Sequence, residues 1–225
     1  MNEASEREEF ARAFSVSYET LAKFDRYAAL LTEWQARMNL VASGTLPQIW
    51  SRHFFDSAQL LPHIPDAART LIDIGSGAGF PGLVLALLGA RGVHLIEATR
   101  KKAAFLRAVA DDLNLDVTIH AARAEEIRNL RADIITARAL APLPELLPLC
   151  HRFCGKDTTI LLLKGAKAPQ ELTMARKAWH FDLEMIASRT GDSGHLLILR
   201  HLHHRQQAAR HGKNPYKRNA GRRGK

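Results

Sequence analysis

From Thr70 onward, short apolar runs alternate with segments of helical periodicity, and this alternation limits the possible folds more than any other feature of the chain. Several runs are apolar throughout, as expected for strands that are covered on both faces of a sheet. Repeated strand–helix units predict an α/β fold with a mostly parallel, doubly wound sheet. The last two runs have no long helix between them, so we expect them to form a closing antiparallel pair. The seven predicted strands cover residues 70–75, 93–98, 117–122, 132–139, 158–165, 183–188 and 195–200.

The N-terminal part of the chain has a different pattern. Residues 18–38 carry apolar side chains at steps of three and four, which predicts an amphipathic helix of several turns. A second helix is predicted over roughly 47–61, and prolines end it. We interpret residues 1–65 as a small helical cap on a main domain that covers residues 66–200.

The positive charge of the chain is concentrated at its C-terminus. The net charge is +9, and residues 201–225 contain eight Lys and Arg but no acidic residue. The first 200 residues are therefore close to neutral. A segment of this composition cannot bury a core, so we expect residues 201–225 to be a disordered basic tail. Such a tail could bind nucleic-acid phosphates, or it could only keep the protein in solution.

Several classes of protein are disfavoured by composition. No apolar run reaches the ~18 uncharged residues that a membrane-spanning helix needs. The acidic, polar N-terminus is unlike a signal peptide. Cys150 and Cys154 form a single C-x-x-x-C pair, which is a poor zinc site, and we predict no metal. We expect a cytoplasmic protein with reduced thiols, no membrane contact and no obligate protein partner.

A glycine-rich segment, IDIGSGAGFPG, follows the first predicted strand directly. Connections of this kind bring backbone N–H groups and a helix N-terminus close to a ligand. The spacing is G-x-G-x-G, and Phe80 stands where the third glycine of the dinucleotide-binding fingerprint would fall. No Gly-Lys-Ser/Thr follows, so a phosphate-binding loop is disfavoured as well. We predict that Gly75, Gly77 and Gly79 allow the backbone to approach a ligand that lacks a bulky pyrophosphate.

The second and third predicted strands end in residues that suit an adenosine. Glu97 follows Gly79 by 18 residues, at a position where a carboxylate can accept both ribose hydroxyls. A surface glutamate at a strand end is the alternative interpretation. Ala124 and Glu125 follow the third strand, and the small alanine lets the chain pass close to an adenine ring. Together these features resemble the S-adenosylmethionine-dependent methyltransferase fold with its seven-stranded, Rossmann-like sheet.

A narrower resemblance depends on four short motifs that occur in order along the chain. They are RHFFDS (Arg52–Ser57), IDIGSGAGFPG (Ile72–Gly82), ARA (Ala137–Ala139) and LLKG (Leu162–Gly165). Over roughly residues 20–200, the chain is similar to the bacterial glucose-inhibited division protein B family. Members of that family methylate N7 of one guanine in 16S rRNA with S-adenosylmethionine.

The resemblance implies roles for particular residues. Gly75, Phe80, Ala124, Glu125 and Arg138 would contact S-adenosylmethionine. Members of the family often have Asp where this chain has Glu97, and the longer side chain would make the same contact with the ribose. The implied substrate is 16S rRNA or the small ribosomal subunit.

The chemistry at guanine N7 limits what the protein must supply. N7 carries an in-plane lone pair at neutral pH, so no general base is required and we assign no catalytic acid or base. The requirements are an in-line approach at about 3–3.5 Å and exclusion of water. Positive charge moves from sulfonium to guanine, so a cation pressed against N7 would oppose the reaction. We therefore expect Arg138 to hold the cofactor carboxylate or an RNA phosphate, unless it is only a salt-bridged strand-end residue.

Three residues are candidates for binding the substrate: Arg52, His53 and Lys164. Lys164 ends the fifth predicted strand, where it could contact the RNA backbone or guanine O6, or could be purely structural. Arg52 and His53 lie in the cap, which would border the glycine loop. Arg52 and Asp56 share a helix face and could simply pair with each other. The target base must lie in a single-stranded loop or be flipped out of a helix.

Three other functions remain open at this point. A small-molecule methyltransferase would use the same chemistry, but the basic tail argues against it. A non-catalytic ribosome-assembly factor would keep the fold without turnover, but the intact cofactor residues disfavour that. A nicotinamide-dependent dehydrogenase is disfavoured by Phe80.

Overall fold

Seven strands form one mixed sheet in the computed structural model, which describes residues 3–191 and 193–205. The strands are β1 (Leu71–Ile74), β2 (Val93–Ile96), β3 (Val117–His120), β4 (Ala132–Arg138), β5 (Cys154–Lys164), β6 (Trp179–Ala187) and β7 (His195–His204). Their order across the sheet is β3-β2-β1-β4-β5-β7-β6. Strand β7 runs antiparallel to β5 and β6, and the other pairs are parallel. The predicted fold class and the closing antiparallel pair are confirmed.

Alternate residues of the central strands enter two separate cores, one on each face of the sheet. In β5, Leu161 and Leu163 belong to one core, whereas Ile160 and Leu162 belong to the other. The same alternation occurs in β7. Because both faces are covered, side chains on either face of these strands lie in a core, and this explains the continuous apolar runs.

Helices cover both faces of the sheet and form the N-terminal cap. They are α1 (Glu3–Ala13), α2 (Tyr18–Gln35), α3 (Asp56–Ala58), α4 (Gly82–Leu87), α5 (Arg100–Asp112), α6 (Leu143–Phe153) and α7 (Ala168–Ala175). Helix α2 matches the predicted amphipathic helix, and Ser17 caps its N-terminus by accepting a hydrogen bond from the Thr20 N–H at 3.2 Å. Helix α1 was not predicted, because Phe10 is its single fully buried residue and its apolar periodicity is weak.

The second cap helix is irregular, contrary to the prediction of a helix over roughly 47–61. The chain forms a 3-10 turn (Ser43–Gln48), a π-helical turn (Trp50–Phe55) and then α3. Pro47 lies inside the first turn, where its missing N–H cannot support a regular α-helix. The wider π turn directs Trp50, His53 and Phe54 into the interior.

The cap shares a core with the sheet. Phe10, Phe24, Tyr27 and Phe54 are fully buried in the same apolar cluster that includes Leu71 of β1. Their rings pack edge-to-face, with centroids about 5 Å apart between Phe10 and Phe24 and between Phe24 and Phe54. The cap is therefore continuous with the core on one face of the sheet.

Strand β7 extends four residues into the segment that we assigned to the tail, because β7 continues to His204. The backbone N–H of Arg205 then donates to Ala178 O at 2.9 Å. Pairing with β6 orders these residues despite their polar composition. The remaining predicted tail, residues 206–225, lies outside the described residues. Within the described ranges, no helix is long and apolar enough to cross a membrane.

Candidate functional site

A cleft of about 1160 Å³ opens at the carboxyl ends of the parallel strands. Its walls come from the loops after β1, β2, β4 and β5, from the cap, and from the β6–β7 connection. Parallel α/β sheets bind their ligands at this edge. The cleft brings together eight of the predicted site residues: Arg52, His53, Gly75, Gly77, Phe80, Glu97, Arg138 and Lys164.

The glycines of the loop after β1 fall into two groups. Gly75 and Gly77 line the cleft and have φ values of 71° and 56°, a region that side chains disfavour. Gly79 has a φ of 92° but does not line the cleft. A Cβ at Gly79 would collide with Leu83 and with the hydroxyl of Tyr27. Gly79 therefore has a packing role inside the protein, and its predicted contact with a ligand stays a prediction.

Gly82 belongs to the second group and makes room for Asp73. A Cβ at Gly82 would lie 2.8 Å from Asp73 Oδ2. Asp73 is fully buried and accepts hydrogen bonds from Thr136 Oγ1 at 2.8 Å and from the Gly82 N–H at 3.3 Å. Burial raises the pKa of Asp73 to about 6, although both hydrogen bonds act in the opposite direction. Through these two bonds Asp73 holds the glycine loop from inside the protein, so this acidic residue, which precedes the glycines, has a structural role.

Glu97 lines the cleft as a buried carboxylate without a cationic partner among the described residues. Its Oε2 accepts the Gly77 N–H at 2.9 Å, and its Oε1 accepts the Thr99 N–H at 2.7 Å. Only 7% of the residue is exposed. An ionised carboxylate offers about four acceptor positions, so roughly two remain for a ligand. The arrangement suits a pair of hydroxyl groups, and it suits a ligand that brings its own positive charge.

Arg138 is anchored by three hydrogen bonds across the cleft wall. Its Nη1 donates to Arg52 O at 3.1 Å and to Asp56 Oδ2 at 3.2 Å, and its Nη2 lies 2.8 Å from His53 Nδ1. A guanidinium has five N–H donors. The other two, one on Nη2 and the Nε–H, have no acceptor among the described residues. Arg138 is therefore both salt-bridged and able to bind an anion.

Phe80 forms the floor beneath this arginine. Its ring stacks on His53, with centroids 4.8 Å apart and planes inclined by 17°, and on Tyr27 at 5.5 Å. The guanidinium carbon of Arg138 lies 4.9 Å from the Phe80 centroid. The cation–π contact and the two ring contacts hold the Phe80 side chain in place. The residue that replaces the third fingerprint glycine thus connects the loop to the cap.

Lys164 and Arg52 differ in how free they are to meet a substrate. The Lys164 ammonium contacts Glu171 Oε2 at 2.6 Å and donates to Ala141 O at 2.8 Å, and 8% of its side chain is exposed. These bonds give Lys164 a structural role in addition to its predicted role in binding the substrate. Arg52 is exposed, and its guanidinium has no salt bridge to a described residue. The expected Arg52–Asp56 pair is replaced by Arg138–Asp56, because the π turn changes which side chains share a face.

Ala124 and Glu125 do not line the cleft. They lie in a short 3-10 turn (Ala124–Glu126) after β3, where Ala124 is buried and Glu125 is exposed. The backbone carbonyl of Glu125 accepts a hydrogen bond from Arg152 Nη2 at 2.6 Å. Their predicted contact with an adenine ring stays a prediction.

Sequence reasoning gave Asp56 another partner and missed other residues that hold the site together. Asp56 Oδ1 accepts hydrogen bonds from Thr190 Oγ1 at 2.8 Å and from Gln59 Nε2 at 2.8 Å, so the β6–β7 connection is tied to the cap. Tyr27 Oη donates to Ala78 O and so ties α2 to the glycine loop. A tyrosine within an amphipathic stripe and a threonine in a loop give no local signal of such roles.

The side chains that line the cleft are suited to binding and orienting a ligand. Each carboxylate of the described lining is already engaged: Asp56 by Arg138, Glu97 by two backbone N–H groups and Glu171 by Lys164. Within the part of the chain that the structure describes, no cluster of three His, Cys, Asp or Glu side chains could hold a metal ion. The site suits a reaction whose reactants bring their own electrophile and nucleophile.

Comparisons with known proteins point the same way. Residues 20–197 match the family described as rRNA small subunit methyltransferase G. The chain is 51% identical over 191 residues to the ribosomal RNA small subunit methyltransferase G of Rhodospirillum centenum, covering 85% of this chain and 88% of the relative. It is 47% identical to the protein of that name from Paramagnetospirillum magneticum, covering 87% and 95%. An O-methyltransferase from Bacillus cereus, solved with SAH, has a similar fold (TM-score 0.52, 15% identity, 82% and 91% covered).

Proposed function

Because this chain belongs to the rRNA small subunit methyltransferase G family, we propose that it transfers a methyl group from S-adenosylmethionine to N7 of a guanine in 16S rRNA. The observation that carries the proposal is Glu97, a buried carboxylate with spare acceptor positions, beside a glycine backbone at Gly77. The free acceptor positions of Glu97 suit the paired hydroxyls of a ribose, which an adenosine-containing cofactor supplies.

The residues of the cleft fit the cofactor. When bound, S-adenosylmethionine supplies an electrophilic methyl group on a positively charged sulfur. Glu97 would accept the ribose hydroxyls, and the backbone at Gly75 and Gly77 would leave room for the cofactor. The two N–H donors of Arg138 without a protein acceptor would bind its carboxylate. The same donors could instead bind an RNA phosphate, and calorimetry with the cofactor alone would separate these two possibilities.

The three engaged carboxylates of the cleft and the state of His53 support N7 as the acceptor atom. An exocyclic amine or a hydroxyl would require a group to take its proton during transfer. Of the two histidines that line the cleft, His53 has its pKa lowered to about 3, chiefly by burial and further by Arg138 and Arg52, and its Nδ1 already accepts from Arg138. N7 needs no proton acceptor. The protein would act by orienting the base and excluding water.

An RNA substrate is supported by the rim of the cleft. After Arg138 pairs with Asp56 and Lys164 pairs with Glu171, three lining cations remain without a salt bridge to a described residue: Arg52, Lys102 and Lys167. Cations placed in this way would contact phosphates around an extruded or single-stranded base. Assembled small subunits or their rRNA would be the substrate, and the enzyme would meet them in the cytoplasm.

The direct test incubates the protein with labelled S-adenosylmethionine and unmethylated small subunits, and then maps the modified nucleotide. Label at N7 of one guanine is expected. Replacing Arg138 by Ala should reduce methyl transfer by about 10- to 100-fold, because charge-assisted hydrogen bonds are each worth about 1.5–3 kcal/mol. Arg37→Ala is the control, since Arg37 forms only an exposed pair with Glu33 at 3.6 Å.

Two other outcomes would replace the proposal. Cofactor binding with no label in any RNA, but with turnover of a small acceptor, would identify a small-molecule methyltransferase. Binding to small subunits without any cofactor binding would identify an assembly factor that has lost its chemistry.

A further inference from the structure

His53 holds one defined tautomer, and the hydrogen bonds around it determine which. Its Nδ1 lies 2.8 Å from Nη2 of Arg138. A guanidinium can only donate, so Nδ1 must be the unprotonated acceptor. Its Nε2 lies 2.8 Å from Thr45 Oγ1, whose hydroxyl donates to Ala42 O at 2.7 Å. Thr45 therefore accepts from Nε2–H, and every polar atom of the imidazole has a partner.

The surroundings keep this ring neutral and fixed. Only 7% of the residue is exposed, and its ring stacks on Phe80 at 4.8 Å. A proton on Nδ1 would place a second cation against Arg138, 2.8 Å from its nearest nitrogen. Burial and the charges of Arg138 and Arg52 accordingly lower the pKa of His53. Protein groups occupy both ring nitrogens, so His53 has no free polar atom for a nucleotide.

Two acceptors of different kinds thus fix the guanidinium of Arg138. Asp56 binds Nη1 and supplies the countercharge, whereas His53 binds Nη2 without adding charge. Asp56 already balances the charge of the guanidinium, so a second carboxylate in place of the imidazole would give the group a net negative charge and weaken its binding of an anionic ligand. A neutral acceptor preserves orientation and leaves positive character on the side that faces the cleft.

We propose that His53 is a positioning residue for the cofactor: its neutral ring orients Arg138 so that the remaining N–H donors point at the carboxylate of S-adenosylmethionine. This inference depends on the proposed function for the identity of the ligand. It replaces the earlier prediction that His53 contacts the substrate.

The matched variants are His53→Asn and His53→Leu, which have nearly the same shape. Asn places its Oδ1 where the imidazole has Nδ1, whereas Leu places a methyl group there. Both variants lose the ring that stacks on Phe80, so they differ chiefly in the acceptor for Arg138. Titration calorimetry with S-adenosylhomocysteine should show that the Leu variant binds about tenfold more weakly than the Asn variant. In methyl transfer, KM for S-adenosylmethionine should follow the same order, with KM for the small subunit equal in both.

A third variant, His53→Gln, allows the comparison to be made even if the Leu variant does not fold. Its polar atoms lie at the ε position, next to Thr45, so it should bind S-adenosylhomocysteine like Leu and not like Asn. Thermal unfolding of each variant shows which of them are folded. Equal affinities of the Asn and Gln variants, or an effect confined to KM for the small subunit, would overturn the inference.

The two proposals fail in different ways. A wild-type protein that binds S-adenosylhomocysteine but methylates no rRNA would contradict the proposed function, while the Asn and Leu comparison by calorimetry would still decide the role of His53. A wild-type protein that binds no cofactor would overturn both.

Discussion

At the scale of single residues, the loop after β1 shows how one motif performs two tasks. Gly75 and Gly77 face the cleft, whereas Gly79 and Gly82 face inward and leave space for neighbouring side chains. Gly82 has no positive φ, so the close approach of Asp73 is the reason for a glycine there. Asp73 in turn holds the loop through the Gly82 N–H and joins it to β4 through Thr136.

Replacing Gly82 by Ala should therefore destabilise the protein. The new Cβ would lie 2.8 Å from Asp73 Oδ2 and would also collide with Leu95, so the free energy of unfolding should fall by about 1–3 kcal/mol. Urea unfolding measures the change. Gly44→Ala is the matched control, because a Cβ at Gly44 meets nothing within 4 Å. Equal stability of the two variants would show that Asp73 can move away at no cost.

At the scale of elements, helix α2 is the support on which the glycine loop is built. Tyr27 of α2 donates to Ala78 O and packs on Phe80. These two contacts fix the position of the glycine loop relative to the helix. Arg7 of α1 pairs with Asp25 of α2 at 2.7 Å, which fastens the two cap helices to each other. The cap therefore helps to position the glycine loop.

Replacing Tyr27 by Phe tests this coupling. The ring contacts remain, but the buried carbonyl oxygen of Ala78 loses its hydrogen-bond donor. The free energy of unfolding should therefore fall by about 1–3 kcal/mol. Affinity for S-adenosylhomocysteine should fall as well, because the loop loses its fixed position. Tyr18→Phe on the same helix is the control, since Tyr18 is 85% exposed. Unchanged affinity in Tyr27→Phe would mean that the sheet alone positions the loop.

At the scale of the whole molecule, the cleft is assembled from distant parts of the chain. The cap, four strand ends and the β6–β7 connection all contribute walls. Asp56 links three of these parts, because it binds Arg138 of β4 and Thr190 of the β6–β7 connection while lying in the cap. A substrate that spans the cleft would contact all of them at once.

The basic segment 206–225 is the other large-scale feature, and its seven Lys and Arg predict salt-dependent affinity for RNA. Truncation after Arg205 keeps the bond from its backbone N–H to Ala178 O. The truncated protein should show a shallower dependence of rRNA affinity on salt, by about 0.7–0.9 in log–log slope for each lost phosphate contact. Cofactor affinity should not change. A full-length variant with the seven cations replaced by Gln should behave like the truncation, and an unaltered slope in both would assign the segment another role.

The strands were predictable because their signal is local. Solid apolar runs of the right length predicted all seven strands within a few residues, except that β5, β6 and β7 are longer than their apolar parts. Polar positions such as His180 and His203 join these strands through backbone pairing, which no side-chain pattern reveals. The cap helix over 47–61 was predicted as regular because periodicity alone does not distinguish an α turn from a π turn.

The sequence by itself determined the α/β class, the ligand edge of the sheet and eight of the residues that line the cleft. The class and the edge were predictable because period, turn chemistry and strand length act between near neighbours. The tertiary structure decided the partners of those residues. Tyr27 meets Ala78 across 51 positions, His53 meets Arg138 across 85 and Asp56 meets Thr190 across 134. Such pairs form only when the packed core brings the segments together, so which groups are neutralised, and which are left for a ligand, is a property of the folded chain.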